Sequence, residues 1–116
     1  MPKGYWIANV DVTHPEEYKA YVAANAGPLR KYGARFLVRG GKSECMEGEF
    51  RSRMVVIEFP NYASALECYR SPEYAKALRL RMGKSEADLL IVRAMTALSH
   101  KLRRAKRDMP DTLILR

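Results

Sequence analysis

Arg39 is followed at once by Gly40 and Gly41, and the run that carries it, ARFLVRGG, reads as a strand with its basic residue at the end. A guanidinium placed there suits a carboxylate or a phosphate, because its planar fork meets two oxygens at once. The glycines would let a ligand approach the backbone. The competing reading is a salt bridge beside a structural bulge. Glu58 interrupts the apolar run VVIEF. A carboxylate in the interior can act as a base, or it can pair with Arg39 and hold the strands together. Arg39 as anion anchor and Glu58 as proton carrier form the candidate catalytic pair. Asn25, just before Gly27-Pro28, either presents an amide to a ligand or caps its helix. Trp6, Tyr69 and Tyr74 either exclude water from such a pocket or are core. Tyr74 stands apart because it lies in SPEY, beside a helix break. The candidate ligand-binding set is Asn25, Arg39, Gly40, Gly41, Trp6 and Tyr74.

Other chemistries lack their residues. The chain has no phosphate-binding P-loop, no GxGxxG and no HExxH. Its histidines are His14, in a loop opening a helix, and His100, near the end, so a haem or metal site in the body would need His14 or no histidine at all. No metal and no cofactor are expected. Cys45 and Cys68 match neither a zinc spacing nor CxxC, and neither has a nearby histidine to activate it. Cys68 reads as a core residue of a helix. There is no apolar run of about 18 residues to cross a membrane, and MPKGYWIANVDV turns polar too soon for a signal peptide. The expectation is a reduced, cytoplasmic protein.

The elements that would position these residues follow from pattern. GYWIANVDV (4–12) is rich in aromatic and β-branched residues and reads as a strand. A helix follows, with Thr13 or His14 as cap, Pro15 in its first turn, and Glu16 and Glu17 at its positive end. Gly27-Pro28 is expected to kink or break it before a last turn ending at Gly33. ARFLVRGG is the second strand, with a bulge or bend at Gly40-Gly41 and KSECM able to continue it. RSRMVVIEF (51–59) is the clearest strand, stopped by Pro60. Asn61 caps a second helix, which restarts at Ser71-Pro72 and ends at Gly83. EADLLIV (86–92) is the last strand. The order βαββαβ suits an α+β, ferredoxin-like sandwich: a four-stranded antiparallel sheet with two helices on one face.

Helices on one face should leave the other polar. Here both parities of the strands are apolar: Met54 and Val56 against Val55, Ile57 and Phe59, and Trp6, Ala8, Val10 and Val12 against Tyr5 and Ile7. Both faces therefore need cover, and a second copy packed sheet against sheet supplies it. The expected partner is the chain itself, as a homodimer. Charge is uneven as well. Residues 1–92 hold 14 Lys or Arg against 11 Asp or Glu, whereas residues 93–116 hold 7 against 2. The division expected is a folded domain over 1–93 and a basic tail over 94–116, helical or disordered. Its basicity argues for nucleic acid or acidic membrane only through the tail.

The blocks KGYWIANVDVTHPEEYKAYVAAN, KYGARFLVRGG, RSRMVVIEFPNYASALECYRSPEY and EADLLIV resemble the domain-of-unknown-function-1330 family over about residues 3–92. The resemblance implies the dimeric α+β barrel, two ferredoxin-like protomers joined through their sheets. It implies no established reaction; related barrels include cofactor-free monooxygenases, lactone isomerases and haem enzymes. The tail departs from the family, whose members close the last strand with Gly-Tyr-Asp-Gly-Pro where this chain has Ala94, Met95, Thr96, Ala97 and Leu98. A one-base shift of reading frame converts codons for the first series into codons for the second, so a frame product is one expectation for the tail. A basic amphipathic helix built on Met95, Leu98, Leu102, Ala105 and Met109 is the other.

Three functions remain in competition. The first is a pocket for a small organic anion, with a cofactor-independent enzyme as one form of it. The second is a structural or interaction subunit. The third is RNA binding, the weakest of the three, because RSRMVVIEF lacks the stacking aromatics of the RNA-recognition module. No membrane or specific nucleic-acid partner is expected.

Overall fold

The computed structural model describes residues 2–96. Strand β1 (Gly4–Val12) leads to helix α1 (Pro15–Lys31), then β2 (Arg35–Arg39), β3 (Arg53–Phe59), α2 (Tyr62–Arg70), α3 (Pro72–Arg81) and β4 (Ser85–Arg93). The sheet order is β2-β3-β1-β4, and every pairing is antiparallel. This is the ferredoxin-like α+β sandwich that the element order predicts. No helix among the described residues is long and apolar enough to cross a membrane.

Local chemistry accounts for the element ends, with two departures. Asn61 Oδ1 accepts from Ser64 N at 2.7 Å, and Ser71 Oγ accepts from Tyr74 N at 3.2 Å, so α2 and α3 each have a true side-chain cap. At α1 the cap position is His14, which makes no such bond; Pro15 and the first-turn glutamates open this helix instead. Pro28 does not end α1, which runs on to Lys31. A proline in the last turn costs one hydrogen bond, and its own carbonyl still accepts from Tyr32 N, so the helix survives it. Gly33, at φ +74°, then stops it. Strand β2 is shorter than expected: residues 40–52, including KSECM, form no strand.

The sheet has two unlike faces. Toward the helices, Phe36, Ile57, Trp6 and Ile91 form one row across all four strands, and Arg39, Val55, Ala8 and Leu89 form the next. Trp6 is the centre of the core. Its ring packs at 5.2 Å from Phe59, 5.6 Å from Tyr69 and 5.0 Å from Tyr74, and its Nε1 donates to Ala65 O at 2.8 Å. Such aromatic pairs each add about 0.5–1.5 kcal/mol beyond area burial. Away from the helices, Val38, Val56, Ile7 and Leu90 make an apolar row with no described element over it, and Leu90 is 56% exposed.

Candidate functional site

Between the helix-side face of the sheet and helices α1 and α3 lies a cavity of about 50 Å³. That is several times the roughly 10–15 Å³ one water needs. Its walls are mostly apolar: Trp6, Ala8 and Val10 of β1, Val55 and Ile57 of β3, Ala87 and Leu89 of β4, Phe36 of β2 and Val22 of α1. Tyr18, Tyr21 and Asn25 of α1 add polar atoms. Three guanidinium groups complete the lining, from Arg39, Arg53 and Arg81.

Each arginine sits at the end of an element, and each arrives there for a local reason. Arg53 opens β3 on the parity of Val55, Ile57 and Phe59, so it faces the helices. Asn9 pins this end of the strand. Its amide donates to Arg51 O and Arg53 O at 3.1 and 3.0 Å, and its carbonyl accepts from Arg51 N at 2.7 Å. Arg81 closes α3, with its guanidinium 5.3 Å from the centre of the Tyr21 ring. Arg39 depends on a bulge between Phe36 and Val38. In a regular strand Arg39 would share the face of Arg35. The bulge puts Phe36 and Arg39 on the same side, and the guanidinium stacks 4.0 Å from the Phe36 ring centre.

The three cations act on one spot. Burial pushes the Tyr18 phenol up and Tyr21 adds to this, while Arg81, Arg53 and Arg39 all pull it down. Among the described residues no carboxylate lies within ion-pair distance of any of the three arginines. Burial acts to lower the pKa of Arg81, but the tyrosines Tyr74, Tyr21 and Tyr18 outweigh it, so this group stays charged. Among the described residues Arg53 Nε and Arg81 Nε are buried without an acceptor, and Ser85 Oγ is buried without a hydrogen-bond partner.

The residues singled out from sequence separate into groups. Trp6, Asn25 and Arg39 line the cavity. Tyr74 and Tyr69 do not line it. Tyr74 is fully buried beneath it and shares a 2.8 Å hydrogen bond with the Tyr21 hydroxyl, and burial pushes its phenol far up. Gly40 has φ +68°, and a Cβ there would lie 2.5 Å from Arg53 Nη1. What approaches its backbone is therefore the Arg53 guanidinium, whereas a Cβ at Gly41 would meet no described atom within 4 Å. Glu58 faces the other way. It accepts from Arg35 Nε at 2.9 Å and from the Tyr5 hydroxyl at 3.1 Å, on the open face of the sheet. The pairing of Glu58 with Arg39 is not formed, because the bulge in β2 sends Arg39 to the opposite side. Burial raises the Cys68 thiol to about 12, which leaves it unreactive.

Sequence reasoning missed Arg53, Arg81, Tyr18 and Tyr21 as site residues. Arg53 carried a signal, a charge on the apolar parity of its strand. Arg81 carried none, since a basic residue in the last turn of a helix is ordinary.

The fold and site together define a ferredoxin-like α+β domain with a basic, aromatic pocket under its helices. The chain belongs to the family described as domain of unknown function DUF1330, which it matches over residues 3–95. It is similar to RPA0582, a protein of unknown function from Rhodopseudomonas palustris, at 16% identity and TM-score 0.67, over 82% of this chain and 84% of that one. It is also similar to SnoaB, a cofactor-independent oxygenase from Streptomyces nogalater, at 12% identity and TM-score 0.56, over 84% and 98%. A third similar structure is a conserved protein of unknown function from Bacteroides thetaiotaomicron, called a possible oxidoreductase, at 13% identity and TM-score 0.53, over 79% and 97%. At these identities the likeness concerns the fold. No curated protein matches the chain. The expectations for the basic tail beyond Thr96 lie outside the described residues.

Proposed function

We propose that this protein binds a small organic anion in the cavity under α1 and α3, and that it does so as a homodimer joined through the open sheet face. One observation carries the first part. Arg39, Arg53 and Arg81 line a mostly apolar cavity and have no carboxylate partner among the described residues. Cations in proteins are ordinarily matched when they leave water. A ligand that brings the missing negative charge and an apolar body fits both the charges and the walls.

Catalysis at this site would have to rely on the ligand's own acidity. The described lining residues include no Asp, Glu, His, Lys or Cys, and the phenol of Tyr18 is held protonated. The arginines could favour an enolate or phenolate over its neutral form, which is the contribution a cofactor-independent enzyme would draw from them. The oxygenase among the similar structures keeps this second reading in view.

The row Val38, Val56, Ile7 and Leu90 supports self-association, since an apolar strip across all four strands needs cover. RNA binding draws little support, because β3 presents Met54, Val56 and Glu58 on that face rather than stacking rings. Thermal denaturation of the full chain with small carboxylates and phosphates tests the pocket. An anion at a hundred times its Kd should stabilise the protein by about 2.7 kcal/mol, and Arg53→Gln should abolish the effect. Stabilisation of wild type and Arg53→Gln to the same extent would place the anion elsewhere.

A further inference from the structure

We infer that the ligand is a small dianion on a short apolar body, its two charges carried by carboxylate or phosphate oxygens; this rests on the anion-pocket reading above. The argument is one of charge matching. Arg53 and Arg81 are both partly buried, and each leaves its Nε buried without an acceptor. An arginine cannot escape burial by losing its proton, as a lysine can. Two fixed positive charges therefore face the cavity, with no carboxylate of the described chain to answer them. A monoanion leaves one of them unmatched, whereas a dianion matches both. Arg39 does not add a third demand. It is exposed at the rim and stacked on Phe36, so water answers its charge.

The remaining walls limit the body of the ligand. A cavity of about 50 Å³ bounded by Trp6, Val10, Val55 and Leu89, with Tyr18, Tyr21 and Asn25 as its neutral polar groups, has room for a few carbons and is too small for a sugar or a base. The site is also built in advance. Arg53 lies against the backbone of Gly40, whose positive φ brings the chain close behind the guanidinium, so little freedom is left for it to lose on binding. Charge-assisted bonds to two such groups are the strong kind, and guanidinium suits carboxylate and phosphate equally.

Isosteric pairs that differ only in charge test the inference by calorimetric titration of the full chain at constant ionic strength. Methyl phosphate is set against methyl sulfate, and succinate against succinamate. The pH is held at about 8, above the second ionisation of the phosphate near 6. In at least one pair the dianion should bind about tenfold more tightly or better, which corresponds to one charge-assisted contact. The pair that shows the gap identifies the source, phosphate ester or dicarboxylate. Arg53→Gln and Arg81→Gln should each bring the ratio toward one, while Arg39→Gln weakens both members alike. If Arg53→Gln does not fold, Arg81→Gln at the helix end carries the test. Equal affinities within both pairs would overturn the dianion and leave the pocket reading intact. Failure of all four compounds to bind would overturn both. A charge preference that survives in Arg53→Gln and Arg81→Gln would also overturn it, by locating the anion elsewhere.

Discussion

The two faces of the sheet treat their arginines in opposite ways. On the open side, Arg35 meets Glu58 at 2.9 Å, and Arg51 holds Asp11, Glu86 and Asp88 at 3.2, 3.1 and 3.0 Å. On the helix side, Arg39, Arg53 and Arg81 meet aromatic rings and aliphatic walls and, among the described residues, no carboxylate. Where this chain uses arginine to hold itself together, it supplies the acid. Where it leaves the acid out, it also leaves a cavity. That contrast separates a structural network from a candidate site more sharply than the arginine content of either face.

The contrast can be broken in several places. The largest effect should come from the helix side: Trp6→Ala removes the core's central ring and the bond to Ala65, at a cost of about 3–5 kcal/mol in urea unfolding. A loss below about 1 kcal/mol would mean the core is not organised around this residue. On the open side, Leu90→Asp should leave the protomer folded and raise the dimer dissociation constant about a hundredfold, read by sedimentation equilibrium, because it buries an unpaired charge in the joined face. A wild-type chain that sediments as a monomer at high concentration would remove the dimer from the proposal.

Gly40→Ala should cost about 1–2 kcal/mol, from the left-handed backbone alone. It should also weaken anion binding, since the new methyl group occupies the place of the Arg53 guanidinium. Normal anion affinity in a destabilised Gly40→Ala protein would detach Arg53 from the site.

Two pH effects sharpen the comparison further. Burial raises the Tyr74 phenol above its ordinary value near 10. Its contribution to stability is full below that value and is lost as pH rises above it, because only the unfolded phenol ionises there. Tyr74→Phe should flatten the alkaline limb of the stability curve. On the open side, hydrogen bonds from the Ser52 backbone and hydroxyl, with a smaller part from Arg51, hold the Asp11 carboxyl below the usual range. That contribution is present above the ordinary carboxylate pKa and is lost as pH falls through the lowered one. Asp11→Asn should therefore be least noticeable in acid and most noticeable at neutral pH. A mutant curve parallel to wild type at every pH would mean the carboxylate charge is not what holds Ser52 and Arg51.

Much of the fold was legible because it is written in short-range terms. Asn61, Ser71-Pro72, Gly33 and Pro60 punctuate the chain where their own backbone preferences demand it. The doubled apolar parity of β1, β3 and β4 announces a sheet with two faces in need of cover. Three of the residues singled out from the sequence line the cavity, Arg39 before its glycines, Asn25 on its helix and Trp6 in its strand.

What the sequence alone determined, then, is the order of elements, their caps and the two apolar faces, since each follows from residues within one turn or one pleat of one another. The tertiary structure decided which charges meet. A bulge of one residue in β2 turned Arg39 away from Glu58 and toward Phe36. The packing of α3 against α1 brought Arg81 from residue 81 to the rings of Tyr18 and Tyr21. Gly40 served the guanidinium of a strand fourteen residues away from Arg39 rather than a ligand. Side-chain parity is a local rule and survives only until the register shifts, whereas convergence of like charges is a property of three elements packed at once.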